Sequence, residues 1–384
     1  MRQRIPSALA PAAYATGLLY EAVIRVRTRL YSASLLPTNR LPAPVISIGN
    51  ITTGGTGKTP LVIYVARTLS DMGCSPAVLT RGYGRARSGR PHILSPGETV
   101  PSPSRTLGDE PALIRRHIPA AWMGVSKNRF LTGTILSKRD RRIVFILDDG
   151  FQHLKLHRDL DVVILDSSQA LSSNRIFPRG TLREPLAGLQ RCDVFVINGS
   201  GDTADSRSVE TEVRRWNREA EIFECRQIIR SLLPFSAWAE NALKPGALSG
   251  ASENKIRVGR VSGSAGTART APSLEAQPSL PAPAYLVSAV GNPERFQRDI
   301  RRLGIDVRGA RFFADHYRLK EKDWRDCIQA ARRSGAGSVI TTEKDAVKIE
   351  HPPDFPLLVA VQSTEFSDAS AFESVLKKSI EERR

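Results

Sequence analysis

The residues best suited to chemistry lie between Thr52 and Thr59, in the run Thr52-Thr53-Gly54-Gly55-Thr56-Gly57-Lys58-Thr59. Small residues let successive backbone N–H groups converge on phosphate oxygens. A helix beginning at Lys58 would add free N–H donors and a partial positive charge. In that setting Lys58 reaches the β- and γ-phosphates of a nucleoside triphosphate, and the Thr59 hydroxyl ligates Mg²⁺. The first glycine of the G-x-x-x-x-G-K-[ST] pattern is replaced by Thr52, so Gly54, Gly55 and Gly57 must supply the flexibility.

A second pair of candidates, Asp148-Asp149, closes the apolar run Ile143–Leu147. Adjacent acids at the end of a buried strand are costly unless a cation is near, and a Walker-B carboxylate belongs at such a strand end. Asp-Gly is also good turn chemistry, the competing reading. Asp109, in Leu107-Gly108-Asp109-Glu110-Pro111, stands where a helix N-cap would stand. It either caps that helix or takes a proton from a hydroxyl. Arg81-Gly82-Tyr83-Gly84-Arg85 reads as a ligand-approaching loop or a surface turn. Arg183-Glu184-Pro185 reads as a surface ion pair, or as a cation and a carboxylate placed on a phosphate–Mg²⁺ centre. His316, in Asp315-His316-Tyr317, reads alone as a structural histidine.

The elements that must position these residues follow from periodicity. Val45–Ile48, Pro76–Thr80, Ile143–Leu147, Asp161–Asp166 and Val194–Ile197 are short apolar runs separated by helical spacing. Strands buried on both faces and alternating with helices imply an α/β fold, a P-loop NTPase-type doubly wound parallel sheet. Residues 86–106 read as a polar loop. Beyond residue 200 come a polar helix (201–220), strands near Ile222–Ile229, Ala284–Val290 and Ser338–Thr342, a helix near Trp324–Arg332 and a C-terminal helix. The expected domains are an N-terminal amphipathic helix (1–40), a P-loop domain (41–200) and a second, smaller α/β domain (201–384). The segment 250–283, rich in Ser, Ala, Pro and Gly, is expected to be a mobile insertion.

Composition narrows the partners. A net charge of +17 over 384 residues points to acidic ones. The four cysteines form no C-x-x-C pair, which argues against a zinc site or a disulfide framework. The uncharged stretch Ile5–Tyr20 superficially resembles a signal peptide, but Pro6 and Pro11 interrupt it and it is too short to span a bilayer. From about Ala12, Leu19, Ala22, Val23, Val26 and Leu30 share a helix face, with Arg25 and Arg29 beside it and Arg27 opposite. That face either docks on the protein's own core or lies in an anionic membrane surface.

Taken jointly and in this order, the P-loop, RGYG, LGDEP, DDGFQH, REP, GNPERF, DHY and TTEKDA segments resemble the tetraacyldisaccharide 4'-kinase family. The resemblance runs from the N-terminal helix through Lys348, with 250–283 as the departure. It implies transfer of the ATP γ-phosphate to the 4'-hydroxyl of a tetraacylated glucosamine disaccharide 1-phosphate in lipid A biosynthesis, at the cytoplasmic face of the inner membrane. It also implies roles. Asp109 would be the general base, with His316 tuning it. Lys58 would neutralise developing charge, and Thr59, Asp148 or Asp149, Gln152 and Glu184 would organise Mg²⁺. Arg81, Tyr83, His153 and Arg183 would contact substrate or phosphate.

Two rivals share the P-loop. A membrane-associated ATPase switch uses a similar loop, but usually with a lysine where this chain has Thr53. A nucleic-acid-stimulated ATPase would suit the charge, yet the four tryptophans and seven tyrosines are dispersed and form no stacking groove, so no nucleic-acid partner is expected.

Overall fold

The structure is a computed structural model that describes residues 10–83, 85, 90–171, 174–199, 203–240, 256–257 and 282–383. Most of the expected insertion, and Gly84 of RGYG, lie outside the described residues. The chain divides into two compact units. One holds residues up to Gln227 together with Thr364 onward, and the other holds Ile228–Ser363.

The first unit begins with α1 (Ala10–Ser32), then β1 (Val45–Gly49), α2 (Lys58–Asp71), β2 (Ser75–Thr80), β3 (His92–Leu94), α3 (Pro103–Thr106) and α4 (Asp109–His117). It continues with β4 (Trp122–Val125), α5 (Arg129–Leu136), β5 (Ile143–Asp148), β6 (Leu160–Asp166), β7 (Val194–Asn198), α6 (Thr203–Arg214) and the start of β8 (Glu221–Pro234). The strand order is β8-β7-β6-β1-β5-β2-β4-β3. Neighbours are parallel except β3, which is antiparallel to β4. The β1, β5, β6 and β7 strands are buried at every position, which explains why they read as unbroken apolar runs rather than alternating ones.

Both faces of this sheet are covered, as the doubly wound expectation required. Leu61, Val65 and Leu69 of α2 pack with Ile46, Ile48 and Ile146 on one face. On the other, Leu136 of α5 packs with Val45 and Phe145, and Val209 and Val213 of α6 pack with Phe195 and Ile197. The polar stretch 86–106, expected as a loop, carries β3 and the one-turn α3.

The second unit holds the rest of β8, then α7 (Phe235–Glu240), β9 (Ile256–Arg257), β10 (Ala284–Ser288), α8 (Pro293–Arg302), β11 (Val307–Phe312), α9 (Glu321–Arg333), β12 (Ser338–Thr342), α10 (Glu343–Ala346) and most of β13 (Leu357–Phe366). Its order runs β11-β10-β12-β13, all parallel. Phe296 and Ile300 of α8 and Trp324, Cys327 and Ala331 of α9 close separate apolar clusters over its strands. The chain then returns to the first unit, where α11 (Ala369–Glu381) buries Phe372, Leu376 and Ile380 in the cluster of α2. Phe366 stacks on Phe372 at 4.3 Å between ring centroids, and the Tyr64 hydroxyl donates to Glu373 at 3.0 Å.

Packing therefore draws the division at Gln227/Ile228, not at the composition change near residue 200. It also gives the C-terminal helix to the P-loop unit. The strand β13 had no counterpart in the sequence reading.

Candidate active site

The phosphate loop leaves β1 at Asn50 and enters α2 at Lys58. Gly57, at the cap position, has φ 100°, a left-handed conformation that disfavours any Cβ. A Cβ there would also approach Asn198 Nδ2 to 2.9 Å and Gln227 Nε2 to 3.1 Å. Gly54 likewise has φ 117°. Asn50 ties the loop internally, its Nδ2 donating to Thr52 O at 2.6 Å and to Thr56 Oγ1 at 3.0 Å. Asn198, at the end of β7, donates to Thr56 O at 2.9 Å.

Thr52 pairs with Leu182 in an antiparallel bridge, Thr53 N–H donates to Thr181 O at 2.6 Å, and Arg183 N–H donates to Ile51 O at 2.8 Å. Thr52 thus sits in extended backbone, which any residue adopts, and no glycine is needed there. Gly55 and Thr59 complete the run within the same turn and first helical residues.

The segment carrying Arg183 and Glu184 is consequently a second wall of the loop. Glu184 is buried, and its Oε1 accepts from Gln152 Nε2 and from Arg191 Nη2, each at 2.7 Å. Gln152 also donates to Asn50 O at 2.9 Å. The Arg191 guanidinium lies 3.8 Å from the Phe151 ring centroid. Gln152 and Glu184 therefore arrive beside the loop already bonded to each other.

The carboxylates lie at the carboxyl end of β5, beside the end of β1, where Ile48 and Asp148 are in register. This is the crevice in which open α/β sheets bind ligands. Asp148 is buried, accepts from Thr80 Oγ1 at 2.8 Å, and its carbonyl accepts from Arg129 Nη2 at 3.0 Å. Burial, reinforced by the charges of Glu110 and Asp149, pushes its pKa up to about 6. Asp149 has φ 51° and meets Arg183 Nη1 at 2.7 Å and Lys58 Nζ at 3.5 Å. Burial would raise its pKa as well, but Lys58 and then Arg183 outweigh it and bring it down to about 2. Two neighbours in sequence thus hold opposite proton affinities.

Asp109 is the first residue of α4, and Gly108 occupies the cap position, so the capping reading of Asp109 is not met. Gly108 has φ 101°, and a Cβ there would fall on the Tyr83 carbonyl oxygen. A Cβ on Gly82, φ 69°, would lie 2.9 Å from Leu107 O. The RGYG and LGDEP segments therefore lie backbone against backbone. Tyr83 is 68% exposed, and Arg81 is exposed beside it.

The charge of Glu110 acts on Asp148, and that of Arg81 on Arg129, which places these segments around one centre. His153 is half-buried. Desolvation, with the charges of Arg129, Arg158, Arg27 and Lys155, pushes its pKa down to about 3, so it is neutral. His316 belongs to the second unit, with φ 63° and Lys344 Nζ 3.2 Å from its Nε2.

Sequence reasoning missed Arg129, Asn50, Asn198 and Arg191. Arg129 is buried at the start of α5, and burial lowers its pKa against the opposing pull of Asp148 and Asp149. One arginine among so many carries no motif, and its meaning comes from strands distant in sequence.

Comparison with known proteins decides among P-loop families. The family model described as tetraacyldisaccharide-1-P 4'-kinase, LpxK, matches residues 9–381. The chain belongs to the LpxK family. A protein from Desulfotalea psychrophila named tetraacyldisaccharide 4'-kinase is 31% identical over 350 residues, 91% of each chain. One of the same name from Geobacter sulfurreducens is 34% identical over 336 residues, 86% of this chain and 82% of its own. The crystal structure of LpxK from Aquifex aeolicus in complex with ATP aligns with a TM-score of 0.66 and 26% identity, covering 97% of this chain and 99% of that one. A P-loop kinase of the LpxK family accounts for the loop, the strand-end acids and the order of the minor motifs together.

Proposed function

We propose that this chain transfers the γ-phosphate of ATP to the 4'-hydroxyl of a tetraacyldisaccharide 1-phosphate, a step of lipid A biosynthesis. Membership of the LpxK family carries the reading, and the convergence of Lys58, Arg183 and Asp149 on the loop supports it. The run from Thr52 to Thr59 cradles the phosphates, with Lys58 and Arg129 offsetting charge that builds on the transferred group.

Residues fit to hold Mg²⁺ are present. Asp148 and Asp149 stand together, and burial, reinforced by the charges of Glu110 and Asp149, raises the proton affinity of Asp148, a cost to its ionised form that a bound cation would offset. Among the described residues no cluster of three or more His, Cys, Asp or Glu forms a protein-only metal cage. Mg²⁺ bound alongside phosphates uses only one or two carboxylates. Thr59, Asp148 and Asp149 would hold the ion, with Gln152 acting through its hydrogen bond to Asn50 O at the start of the loop and Glu184 through its bond to Gln152. When bound, the ion would supply positive charge that offsets the negative charge of the phosphates.

Asp109 is the general base that accepts the sugar hydroxyl proton, and His316 the residue that keeps it ionised and oriented. Arg81, Tyr83, neutral His153 and Arg183 bind substrate or phosphate.

The helix α1 bears on where the reaction occurs. Arg27 Nη2 donates to Gln152 O at 3.0 Å and the Tyr20 hydroxyl to Arg183 O at 3.1 Å, so its polar side meets the active-site loops. Leu18, Leu19, Val23 and Val26 face outward, each 47% exposed or more. No helix among the described residues is long and apolar enough to cross a membrane. An apolar row flanked by arginines on a chain of net charge +17 suits peripheral binding to the anionic cytoplasmic face of the inner membrane.

The test is transfer of labelled phosphate from ATP to tetraacyldisaccharide 1-phosphate in detergent micelles. Mg²⁺-dependent formation of the 4'-phosphorylated lipid is expected. ATP hydrolysis that ignores the acceptor, with no labelled lipid, would favour the switch ATPase instead.

A further inference from the structure

The TTEKDA segment (residues 341–346) has no part in the reaction as described, yet it is elaborately held. Within the second unit, Glu343 accepts from Trp238 Nε1 at 3.0 Å and from Gln362 N–H at 3.2 Å. Asp345 accepts from Thr342 Oγ1 at 2.8 Å and from Ala289 N–H at 2.9 Å, and pairs with Lys348 at 2.7 Å. Lys348 Nζ in turn donates to Tyr317 O at 2.9 Å. These buried bonds fix α10 against the end of β10 and against the backbone just after His316. Lys344, between the two acids, is thereby aimed at the histidine. Its Nζ lies 3.2 Å from His316 Nε2 and 3.1 Å from Asp315 Oδ1. The Asp315 side chain also accepts from His316 N–H at 3.0 Å, stabilising the left-handed backbone there.

We propose that Lys344 is a positioning residue that fixes His316 as the tautomer protonated on Nδ1. An ammonium group has three donors and no acceptor, so its partner at 3.2 Å must offer a lone pair, and Nε2 does so only when the neutral ring carries its proton on Nδ1. In the other tautomer two N–H groups would confront each other, and Asp315 Oδ2, 3.8 Å from Nε2, is beyond hydrogen-bond reach.

This deepens the reading of His316 as the partner of Asp109, and rests on it for its catalytic meaning. With Nε2 occupied, His316 is a donor through Nδ1–H. A donor holds a carboxylate ionised and oriented, whereas a second base would need an available lone pair. The hydroxyl proton therefore ends on the Asp109 carboxylate, and the ring keeps its own proton throughout.

The test is the ¹⁵N spectrum of the full chain labelled at its six histidines, with His316→Asn assigning the signal. At neutral pH the wild type should show protonated Nδ1 and unprotonated Nε2. Lys344→Met should lose that pattern, and Lys344→Arg, which keeps N–H donors, should retain it in part. Lys344→Met should also lower kcat by roughly 10²-fold with the KM for ATP little changed, since a tautomer error in a serine-protease triad costs about 10⁴-fold. A wild-type ring protonated on Nε2, or a Lys344→Met spectrum identical to wild type, would overturn the assignment whatever the activity. Full transfer by His316→Ala would instead overturn the partnership with Asp109 and leave the tautomer standing.

Discussion

Asp148 and Asp149 are adjacent, yet their proton affinities lie on opposite sides of an ordinary aspartate. The strand carries Asp148 inward, toward Thr80 and the field of Glu110, while the left-handed turn at Asp149 swings its carboxylate onto Arg183 and Lys58. The signs follow. With a folded pKa of about 6, Asp148 binds its proton more tightly in the folded chain, so its contribution favours folding at pH 4 and is lost as pH rises toward 6. Asp149, at about 2, contributes stability above pH 4 that is lost as pH falls through 2. In metal-free protein, Asp148→Asn should therefore abolish a decline in stability between pH 4 and 6, worth at most roughly 3 kcal/mol. Denaturant melts across that range check it, and a mutant with the same pH slope as wild type would refute it. Asp109→Ala should lower turnover by roughly 10²–10⁴-fold while ATP affinity holds. Single-turnover transfer and nucleotide titration separate the two effects, and intact turnover would remove Asp109 from the mechanism.

At the scale of elements, what was legible depended on how local the determinant is. The P-loop and β5 announced themselves because glycine spacing and an unbroken apolar run lie within a dozen residues. RGYG and LGDEP looked weak singly, since neither sequence shows that Gly82 and Gly108 press their backbones together. Gly108→Ala should strain both segments at once, lowering stability by at least ~1 kcal/mol, as expected where a Cβ meets left-handed backbone and a carbonyl oxygen. It should also depress turnover through Asp109, while ATP binding is preserved. Thermal melts with nucleotide titration check this, and an alanine variant of wild-type stability and rate would show that the contact yields freely. The strand β13 opens on the apolar run Leu357–Val361 and continues through the polar Gln362–Glu365, so only its first half carries a core-strand pattern.

At the scale of the molecule, composition misplaced the division between units because polarity reports exposure, not partnership. The helical period of 201–220 was readable, but not that Val209 and Val213 belong to the sheet of Phe195. The same holds for α11. Phe372→Ala should cost ~3–5 kcal/mol, typical of a large buried aromatic, and the loss should appear in the transition that ATP stabilises. An unchanged nucleotide-dependent melt would separate α11 from the P-loop unit. For α1, Leu19→Glu with Val23→Glu should abolish sedimentation with anionic vesicles while phosphate transfer in detergent persists, and undiminished sedimentation would assign membrane binding to another surface.

The bridge between Thr52 and Leu182, with Thr53 bonded to Thr181, has a consequence for how nucleotide arrives. A free glycine-rich loop samples many shapes and surrenders that freedom when phosphate binds. Here part of the loop is stitched into a two-stranded ribbon beforehand, so little order remains to be imposed. The amide proton of Thr53 should accordingly exchange slowly with solvent deuterium in the nucleotide-free protein, and ATP should slow it little further.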